Sequence, residues 1–397
     1  HPFEGMQSGV IVFVCLLAYH LLAVHVDIPA PFTDDCVLDH GTNLYDPKKA
    51  EQVRWYDIDL DAPASGRFVQ IAKDYTDSMN ALIQVVKDLI VPVYPNAVEF
   101  IDDIFGEMHK MLDQPYRDEI QGIADASGIP LGQIVMYNLI YEIIAGCTSV
   151  VAADENGSLF HARNLDFGLW IGWNPIGHEW ELSRALSNNI VNIRWLRGGK
   201  VLYKSNNFAG FVGVYNGVKQ GKFALTANAR GGSDHPVMHW FAGETPNAKW
   251  MTWLARETME NDNTYAEAKE HLMSTELLSN VYYILSGTKP DEACVISRGH
   301  EKTEYLTEIT SRKDPWFLLQ TNYEQDGWVW WIDDRQMPGE NCMRKLGKKN
   351  VGFQGMYNVL SSRTSLNKLT AYTVLMRTDT ADLETYLQNC SGDCWGW

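Results

Sequence analysis

The sequence predicts an α+β fold, and three patterns along its 397 residues support this class. In the first third of the chain, apolar residues recur at three- and four-residue steps, as they do on one face of a helix. After Cys147, short segments rich in β-branched and apolar residues alternate with turn signals, as in strands. Helical segments lie among those strands, which indicates sheets covered by helices.

Three helical segments are predicted before Cys147. They are residues 67–90, 97–112 and 130–146. The third begins at Pro130, a favoured first helical position, and ends at Gly146. Because it is apolar nearly all round, this helix is either buried in the protein or faces lipid, and we expect burial.

The segments TSVVAA and SLFHARNLDF, which follow Cys147, predict a β-hairpin. Between them, Asn156-Gly157 is a strong signal for a two-residue turn. Counting outward from that turn pairs Cys147 with Asp166, which places a carboxylate opposite the thiol. Arg163 then falls on the other face of the strand, so a bulge or a strand end would be needed to bring it to the thiol as well.

Later segments also alternate between predicted strands and predicted helices. Strands are predicted at 190–196, 201–205, 222–228, 281–287, 293–298, 316–322 and 368–376, and helices at 247–261 and 264–274. A Gly-rich phosphate loop does not follow any of these strands, so the sequence does not indicate a nucleotide cofactor.

The chain is strongly acidic, with a formal net charge of −17 and a pI of about 5.0. Such a surface repels phosphate backbones, which argues against nucleic acid as a partner. Two readings of the acidity stay open. It can serve solubility alone, or it can suit an acidic compartment in which carboxylates are partly protonated.

An apolar run at residues 10–24 has the length of a signal-peptide core and is short for a transmembrane helix. Met6 is the nearest initiator, so residues 1–5 are expected to be untranslated or fragmentary sequence. We therefore expect residues 1–26 to be a signal segment, which implies the oxidising secretory route.

The chain has seven cysteines, which fits the oxidising secretory route, and Cys15 would be removed with the signal segment. Cys390 and Cys394 enclose a short SGD turn and are expected to pair locally. A zinc pair is the alternative, but a second pair of ligands is not found at the required spacing. Connectivity among Cys36, Cys147, Cys294 and Cys342 stays open, because it cannot be deduced from sequence alone.

Cys147 would need a base to act as a nucleophile, because the thiolate is the reactive form. His161 lies on the return strand without an obvious orienting partner. Cleavage of the chain just before Cys147 would create an α-amine beside the thiol, and such an amine titrates near ~7.8. Arg163 would lower the pKa of that amine, and Asp166 could orient it. The alternative is that Cys147 is simply a small buried apolar residue.

Several motifs resemble those of a known family. They are Cys-Thr-Ser at 147–149, HARNLDFGLWIGWN at 161–174, NFAGFVGVYNG at 207–217, QTNYE at 320–324, DDR at 333–335 and the terminal CSGDCWGW. Together they resemble the cholylglycine-hydrolase-like amidases, and within these the acid ceramidase family. The resemblance runs from about residue 30 to the end of the chain.

This resemblance implies a fold and a maturation step. It implies an N-terminal-nucleophile αββα sandwich that cuts itself between Gly146 and Cys147. Residues 27–146 would form a helical α subunit and residues 147–397 a catalytic β subunit. It also implies disulfides that join Cys36 to Cys342 and Cys390 to Cys394, with Cys294 free.

The resemblance also implies roles for individual residues. Those that it assigns to catalysis are Cys147, Arg163, Asp166, Asn322 and Arg335. Asn322 would be an oxyanion-hole donor. Tyr141 would assist self-cleavage, and Asn228 and Arg230 could line the site. The alternative for Arg230 is a surface charge pair.

One position departs from the family pattern, and one sequon is open to two readings. The pattern carries a Glu between Asn228 and Arg230, whereas this chain has Ala229. Asn156-Gly-Ser is a glycosylation sequon, but Asn156 could equally be a plain turn residue.

The function that the resemblance implies is a lysosomal amidase that hydrolyses ceramide through a Cys147 thioester. Its partners would be ceramide or a related N-acyl lipid, a membrane surface and a saposin-type activator, with no metal or organic cofactor. The nearest rival is an N-acylethanolamine acid amidase, and Cys36, Cys342 and the CSGDC tail favour the ceramidase. A secreted lipid-binding protein without turnover is the rival from another class.

Overall fold

Two stacked β-sheets form the centre of the structure. It is a computed structural model, and it describes residues 36–37, 44–90, 97–140, 145–168, 172–231, 240, 243–245 and 247–390. One sheet has eight strands, the other has five, and a two-stranded ribbon lies apart from both. Side chains from the facing strands of the two sheets bond to each other, as Ser149 does to Asn228.

Each strand predicted from residue 145 onward is present, and five further strands, at 173–174, 179–180, 216–219, 303–308 and 382–387, were not predicted. The strands of the described residues are β1 Trp55–Asp59, β2 Ala145–Ala153, β3 Leu159–Phe167, β4 Trp173–Asn174, β5 Glu179–Trp180, β6 Ile190–Arg197, β7 Lys200–Phe208, β8 Asn216–Lys219, β9 Phe223–Ala229, β10 Val281–Ser286, β11 Ala293–Arg298, β12 Thr303–Glu308, β13 Phe317–Gln320, β14 Thr370–Arg377 and β15 Asp382–Leu387. The large sheet has the order β1-β6-β7-β8-β9-β10-β11-β12, and the small sheet has the order β13-β2-β3-β14-β15.

Helices pack on both sheets. The α-helices of the described residues are α1 Pro47–Ala50, α2 Val69–Asp74, α3 Thr76–Ile90, α4 Ala97–His109, α5 Tyr116–Ser127, α6 Leu131–Ile140, α7 Glu181–Ser187, α8 Met251–Asn261, α9 Tyr265–Ser274, α10 Gln336–Leu346 and α11 Phe353–Leu360. Helices α8 and α9 contact the large sheet, whereas α10 and α11 contact the small one.

Strand β2 shows how alternation along a strand divides the core into layers. Val150 and Ala152 belong to the apolar cluster under helices α10 and α11. Val151 and Ala153 belong to the cluster between the two sheets. The predicted αββα layering is therefore confirmed: helices, two facing sheets, and helices again.

In the first third, helix α5 was not predicted, and the helix predicted at 67–90 is divided into α2 and α3. Two further features of this region differ from the sequence prediction. Residues Trp55–Asp59 form a strand that pairs in parallel with β6, although this region was expected to be helical. The third predicted helix ends at Ile140 in the described residues, and Gly146 lies in strand β2 instead of at a helix end. Strand β1 is defined by a partner more than a hundred residues later, which local periodicity does not report, whereas Gly146 pairs with Asp166 because β2 extends further along the predicted hairpin.

The described residues include no helix with the length and hydrophobicity needed to span a bilayer. The predicted signal segment, residues 1–26, lies outside the described residues.

A His–Asp pair beside helix α9 should make stability depend on pH. His271 Nδ1 lies 2.9 Å from Asp262 Oδ2, and this hydrogen bond raises the pKa of His271. A raised folded-state pKa gives stability that is complete below the unfolded value, about 6.5, and is lost as pH rises through the folded value. We expect His271→Gln to lower the melting temperature at pH 5 and to leave it unchanged at pH 9.

Asp262→Asn provides the matched control for this prediction. It should produce the same loss at pH 5, and the double variant should lose no more than either single variant, because both remove one interaction. An equal loss for His271→Gln at both pH values would contradict the prediction.

Candidate active site

The β2–β3 hairpin carries the candidate nucleophile, but its register differs by one residue from the prediction. The turn has five residues, 154–158, and the carboxylate of Asp154 accepts hydrogen bonds from the backbone N–H groups of Asn156 and Ser158. Cys147 therefore pairs with Leu165, and Asp166 pairs with Gly146. A slip of one residue moves every side chain to the opposite face of the strand.

This register reverses the expected positions of Arg163 and Asp166. Arg163 pairs with Ser149 and shares the inter-sheet face with Cys147, without a bulge between β2 and β3. Arg163 Nη2 lies 2.8 Å from Cys147 Sγ. Asp166 belongs to the other face, so the prediction that its carboxylate lies opposite the thiol is wrong.

The Cys147 thiol is completely buried in the uncut chain. Burial raises its pKa, and the neighbouring Arg163 guanidinium acts in the opposite direction. Arg163 is itself buried and fixed by three further groups, the Ala227 carbonyl, Asn216 Oδ1 and the Tyr372 hydroxyl. The guanidinium is thus held as a fixed positive charge against the thiol.

Arg335 connects Asp166 to the backbone of Cys147. Its Nη1 lies 2.6 Å from the Cys147 carbonyl oxygen and 3.2 Å from Asp166 Oδ2, and its Nη2 pairs with Asp333. The Thr370 hydroxyl donates to the other oxygen of Asp166. Burial raises the pKa of Asp166, and the Arg335 charge opposes that rise. Asp166 is therefore connected to the Cys147 backbone through Arg335, from the face opposite the thiol.

Asn322 binds the nitrogen that cleavage would release as an amine. Its Oδ1 accepts a hydrogen bond from the Cys147 N–H at 2.8 Å and another from Arg335 Nη2 at 2.8 Å. Its Nδ2 donates to the Ala229 carbonyl at 2.7 Å. Asn322 is thus an acceptor at the Gly146–Cys147 bond, and its oxyanion-hole role stays a prediction.

The two residues expected to line the site have different surroundings. Asn228 accepts from the Ser149 hydroxyl and donates to the Gln320 carbonyl, so it belongs to the buried interior beside Cys147. Arg230 bonds to Glu304 and Glu324 in a part-exposed cluster, which agrees with the charge-pair reading.

Sequence reasoning missed a set of inter-sheet polar residues. His161, thought to lack an orienting partner, bonds to Ser286 through Nδ1 and to Thr226 through Nε2. Ser149 and Asn216 also belong to this set, since Ser149 donates to Asn228 and Asn216 accepts from Arg163. Alternation from Cys147 along β2 would have found Ser149, but His161 and its partners come from different strands and carry no local signal.

The disulfide between Cys36 and Cys342 is present and joins the region before Cys147 to helix α10. Cys390 is disulfide-bonded, and its expected partner Cys394 lies outside the described residues. Cys294 is a buried free thiol, as the resemblance implied.

Asn156 is exposed at the hairpin turn, which leaves both readings of its sequon open. Tyr141 lies outside the described residues.

Among the described residues, acidic, His and Cys side chains do not form a group of three that could hold a metal ion.

Comparisons with known protein families match two segments of this chain to amide hydrolases. Residues 147–325 match the family described as linear amide C–N hydrolases, choloylglycine hydrolase family. Residues 51–112 match the family described as the beta subunit of N-acylethanolamine-hydrolyzing acid amidase. The two matches fall on opposite sides of the Gly146–Cys147 bond.

Individual relatives cover nearly the whole chain. A probable acid ceramidase of Caenorhabditis elegans is 38% identical over 380 residues, covering 94% of each chain. The acid ceramidase of Homo sapiens is 34% identical over 375 residues, covering 92% of this chain and 94% of the relative. The solved structure of a Caenorhabditis elegans N-acylethanolamine-hydrolyzing acid amidase ortholog is 27% identical. It superposes with a TM-score of 0.52 over 61% of this chain and all of that one. The chain therefore belongs to the acid ceramidase and N-acylethanolamine acid amidase family of choloylglycine-hydrolase-type linear amide hydrolases.

Proposed function

We propose that this protein is an acid ceramidase that cuts itself before Cys147 and then hydrolyses the amide bond of ceramide. The observation that carries the mechanism is the position of Cys147. Separate groups hold its thiol, its nitrogen and its carbonyl oxygen, namely Arg163, Asn322 and Arg335. The substrate is supported by relatives named acid ceramidase, which match more than nine-tenths of the chain.

Self-cleavage would begin with attack of the Cys147 thiol on the carbonyl carbon of Gly146. The thiol proton passes to the departing nitrogen, and the resulting thioester is hydrolysed by water. A Cβ added at Gly146 would lie 3.3 Å from Asp166 Cβ and 3.6 Å from the Asp166 carbonyl oxygen. A residue larger than glycine at position 146 would therefore require a shift of a few tenths of an ångström at Asp166.

After cleavage the new α-amine of Cys147 would be the general base. Such an amine titrates near ~7.8 when unperturbed, and the positive charge of Arg163 close to the thiol would lower its pKa. It takes the thiol proton as sulfur attacks the ceramide carbonyl, and it returns a proton to the leaving sphingoid amine. Water then releases the fatty acid from the thioester. Asp166 and Arg335 hold the strand end in place.

The two halves would stay together after the cut. We propose residues 27–146 as the α subunit and residues 147–397 as the β subunit. Cys36–Cys342 links them covalently, and β1 of the first half forms the edge of a sheet of the second. The proposal includes a signal at residues 1–26, delivery to the lysosome, and presentation of the lipid by a membrane surface or a saposin-type activator.

An N-acylethanolamine amidase is the second candidate, because residues 51–112 match the family named for that activity. Both reactions would use the same thiol and amine, so the leaving group distinguishes them. The test is kcat/KM of the cleaved protein for ceramide and for an N-acylethanolamine of equal acyl length, both in the same detergent. We expect ceramide to be preferred by at least roughly tenfold, equivalent to ~1.4 kcal/mol in transition-state binding. A preference of that size for the ethanolamide would overturn the ceramide assignment and keep the amidase.

A further inference from the structure

A continuous series of side-chain hydrogen bonds crosses the space between the sheets and ends beside Cys147. Ser286 Oγ lies 2.9 Å from His161 Nδ1, and His161 Nε2 lies 3.0 Å from Thr226 Oγ1. Thr226 donates to Ser149 Oγ at 2.9 Å, and Ser149 donates to Asn228 Oδ1 at 2.8 Å. All five side chains are fully buried.

The chemistry of these groups fixes the direction of donation. The amide nitrogen of Asn228 donates to the Gln320 carbonyl, so its oxygen faces Ser149 as an acceptor. A hydroxyl has one proton to donate. Ser149 donates its proton to Asn228, and Thr226 donates its proton to Ser149. Thr226 must therefore receive its own hydrogen bond from the Nε2–H of His161. Burial lowers the pKa of His161 to about 3, so the ring is neutral. With its one proton on Nε2, the Nδ1 atom is an acceptor for the Ser286 hydroxyl, which also lies 3.5 Å from the Ala224 carbonyl oxygen.

The series ends on the segment that holds the Cys147 nitrogen. Asn228 Nδ2 donates to the carbonyl oxygens of Gln320 and Thr321 at 2.9 and 3.3 Å. The next residue, Asn322, accepts from the Cys147 N–H. Strands β2, β9 and β13 are therefore joined beside the Cys147 nitrogen by side chains other than Arg163, which bonds to the thiol.

We infer that His161, Thr226 and Ser149 are positioning residues that act through Asn228 to hold Asn322 against the nitrogen of Cys147. The inference rests on the proposed function, because this nitrogen is the leaving group in self-cleavage and the base in amide hydrolysis. A displacement of about 1 Å at a reacting group can cost on the order of 10²-fold in rate. Because the hydrogen bonds from His161 to Asn228 all run in one direction, they specify one orientation of the Asn228 amide.

Thr226→Val tests the inference, because it keeps the shape of the side chain and removes its hydroxyl. We expect the first-order rate of self-cleavage and the kcat for amide hydrolysis each to fall roughly tenfold, as for the loss of about one buried hydrogen bond. KM should stay within about twofold, since substrate contacts are unchanged. Thr226→Ser should restore both rates to within about twofold of wild type, because it restores the hydroxyl.

Thr258→Val is the matched control. Thr258 is fully buried in helix α8, and its hydroxyl has no hydrogen-bond partner among the described residues. This variant should cleave and hydrolyse at wild-type rates. Ser149→Ala is the second probe, used in particular if Thr226→Val is not recovered folded, and it should show the same fall in both rates with KM unchanged.

The inference is overturned if Thr226→Val and Ser149→Ala match wild type. It is also overturned if Thr226→Ser is as slow as Thr226→Val, or if the variants raise KM and leave kcat unchanged. A wild-type protein that neither cuts itself nor hydrolyses an amide would refute the proposed function and this inference together.

Discussion

A Cys147→Ala protein is expected to remain one uncut chain and to hydrolyse no amide. The same sulfur attacks in both proposed reactions, and loss of a catalytic nucleophile can lower kcat by on the order of 10⁶-fold. The measurement is intact mass and N-terminal sequencing of secreted protein after incubation at acidic pH, together with turnover of ceramide. Wild-type protein should show a new terminus at Cys147.

Cys294→Ala is the matched control for that experiment. Cys294 is the second buried free cysteine of the described residues, and it lies on strand β11 beside Tyr265. Its replacement should leave cleavage and turnover at wild-type levels. A loss of both in Cys294→Ala would show that the assay reports folding instead of the nucleophile.

Other outcomes of the Cys147 experiment would each exclude part of the mechanism. An uncut wild-type chain that hydrolyses ceramide would mean that the terminal amine is not the base. A Cys147→Ala protein that binds lipid and equals wild type in its biological effect would favour a lipid-binding protein without turnover.

Glu119→Gln is expected to cause the largest loss of stability of any single substitution proposed here. Glu119 is fully buried and bonds to Arg67 and Arg256, both at 2.8 Å. Removing one partner from a buried ion pair leaves uncompensated charge, at a typical cost of about 3–5 kcal/mol. Because Arg256 also pairs with Glu260, we expect the lower part of that range.

The experiment is best made in the Cys147→Ala protein, where a single uncut chain unfolds. The free energy of unfolding from urea titration should fall for Glu119→Gln. Glu107→Gln is the control, because Glu107 pairs with Lys110 and both side chains are about two-thirds exposed, at 66% and 68%. Exposed pairs of this kind contribute little, so this variant should show no measurable change. Equal effects of the two substitutions would contradict the prediction.

The buried ion-pair cluster of Arg67, Glu119 and Arg256 would also hold the two halves of a cleaved protein together. Arg67 and Glu119 lie before the proposed cut and Arg256 lies after it, in helix α8. The cluster therefore connects the two halves independently of Cys36–Cys342, so the stability lost in Glu119→Gln should also weaken their association.

Much of the secondary structure could be predicted because it follows local patterns. The strands after residue 145 have β-branched and apolar runs bounded by turn residues, and their partners are mostly neighbours in sequence. Helices α3, α4, α8 and α9 were predicted from their periodicity, whereas α5 and α10 were not, although both are longer than α9. The short strand β1 could not be found in this way, because its five residues pair with β6 more than a hundred residues later.

Some residues of the candidate site could be predicted from the sequence, but their geometry could not. Motifs brought Cys147, Arg163, Asp166, Asn322 and Arg335 together. Their arrangement depends on the hairpin register, and that depends on Asp154, whose carboxylate stabilises a five-residue turn where Asn156-Gly157 signals a two-residue one.

The sequence by itself therefore determined the class of fold, and its motifs named a candidate nucleophile and candidate partners for it. Only the tertiary structure decided which face each member occupies and which buried polar groups support it. His161 shows the reason, since its two partners lie 125 and 65 residues away. Local periodicity records burial along one element, whereas a hydrogen-bonded site depends on which strands become neighbours, and that is set by packing across the whole chain.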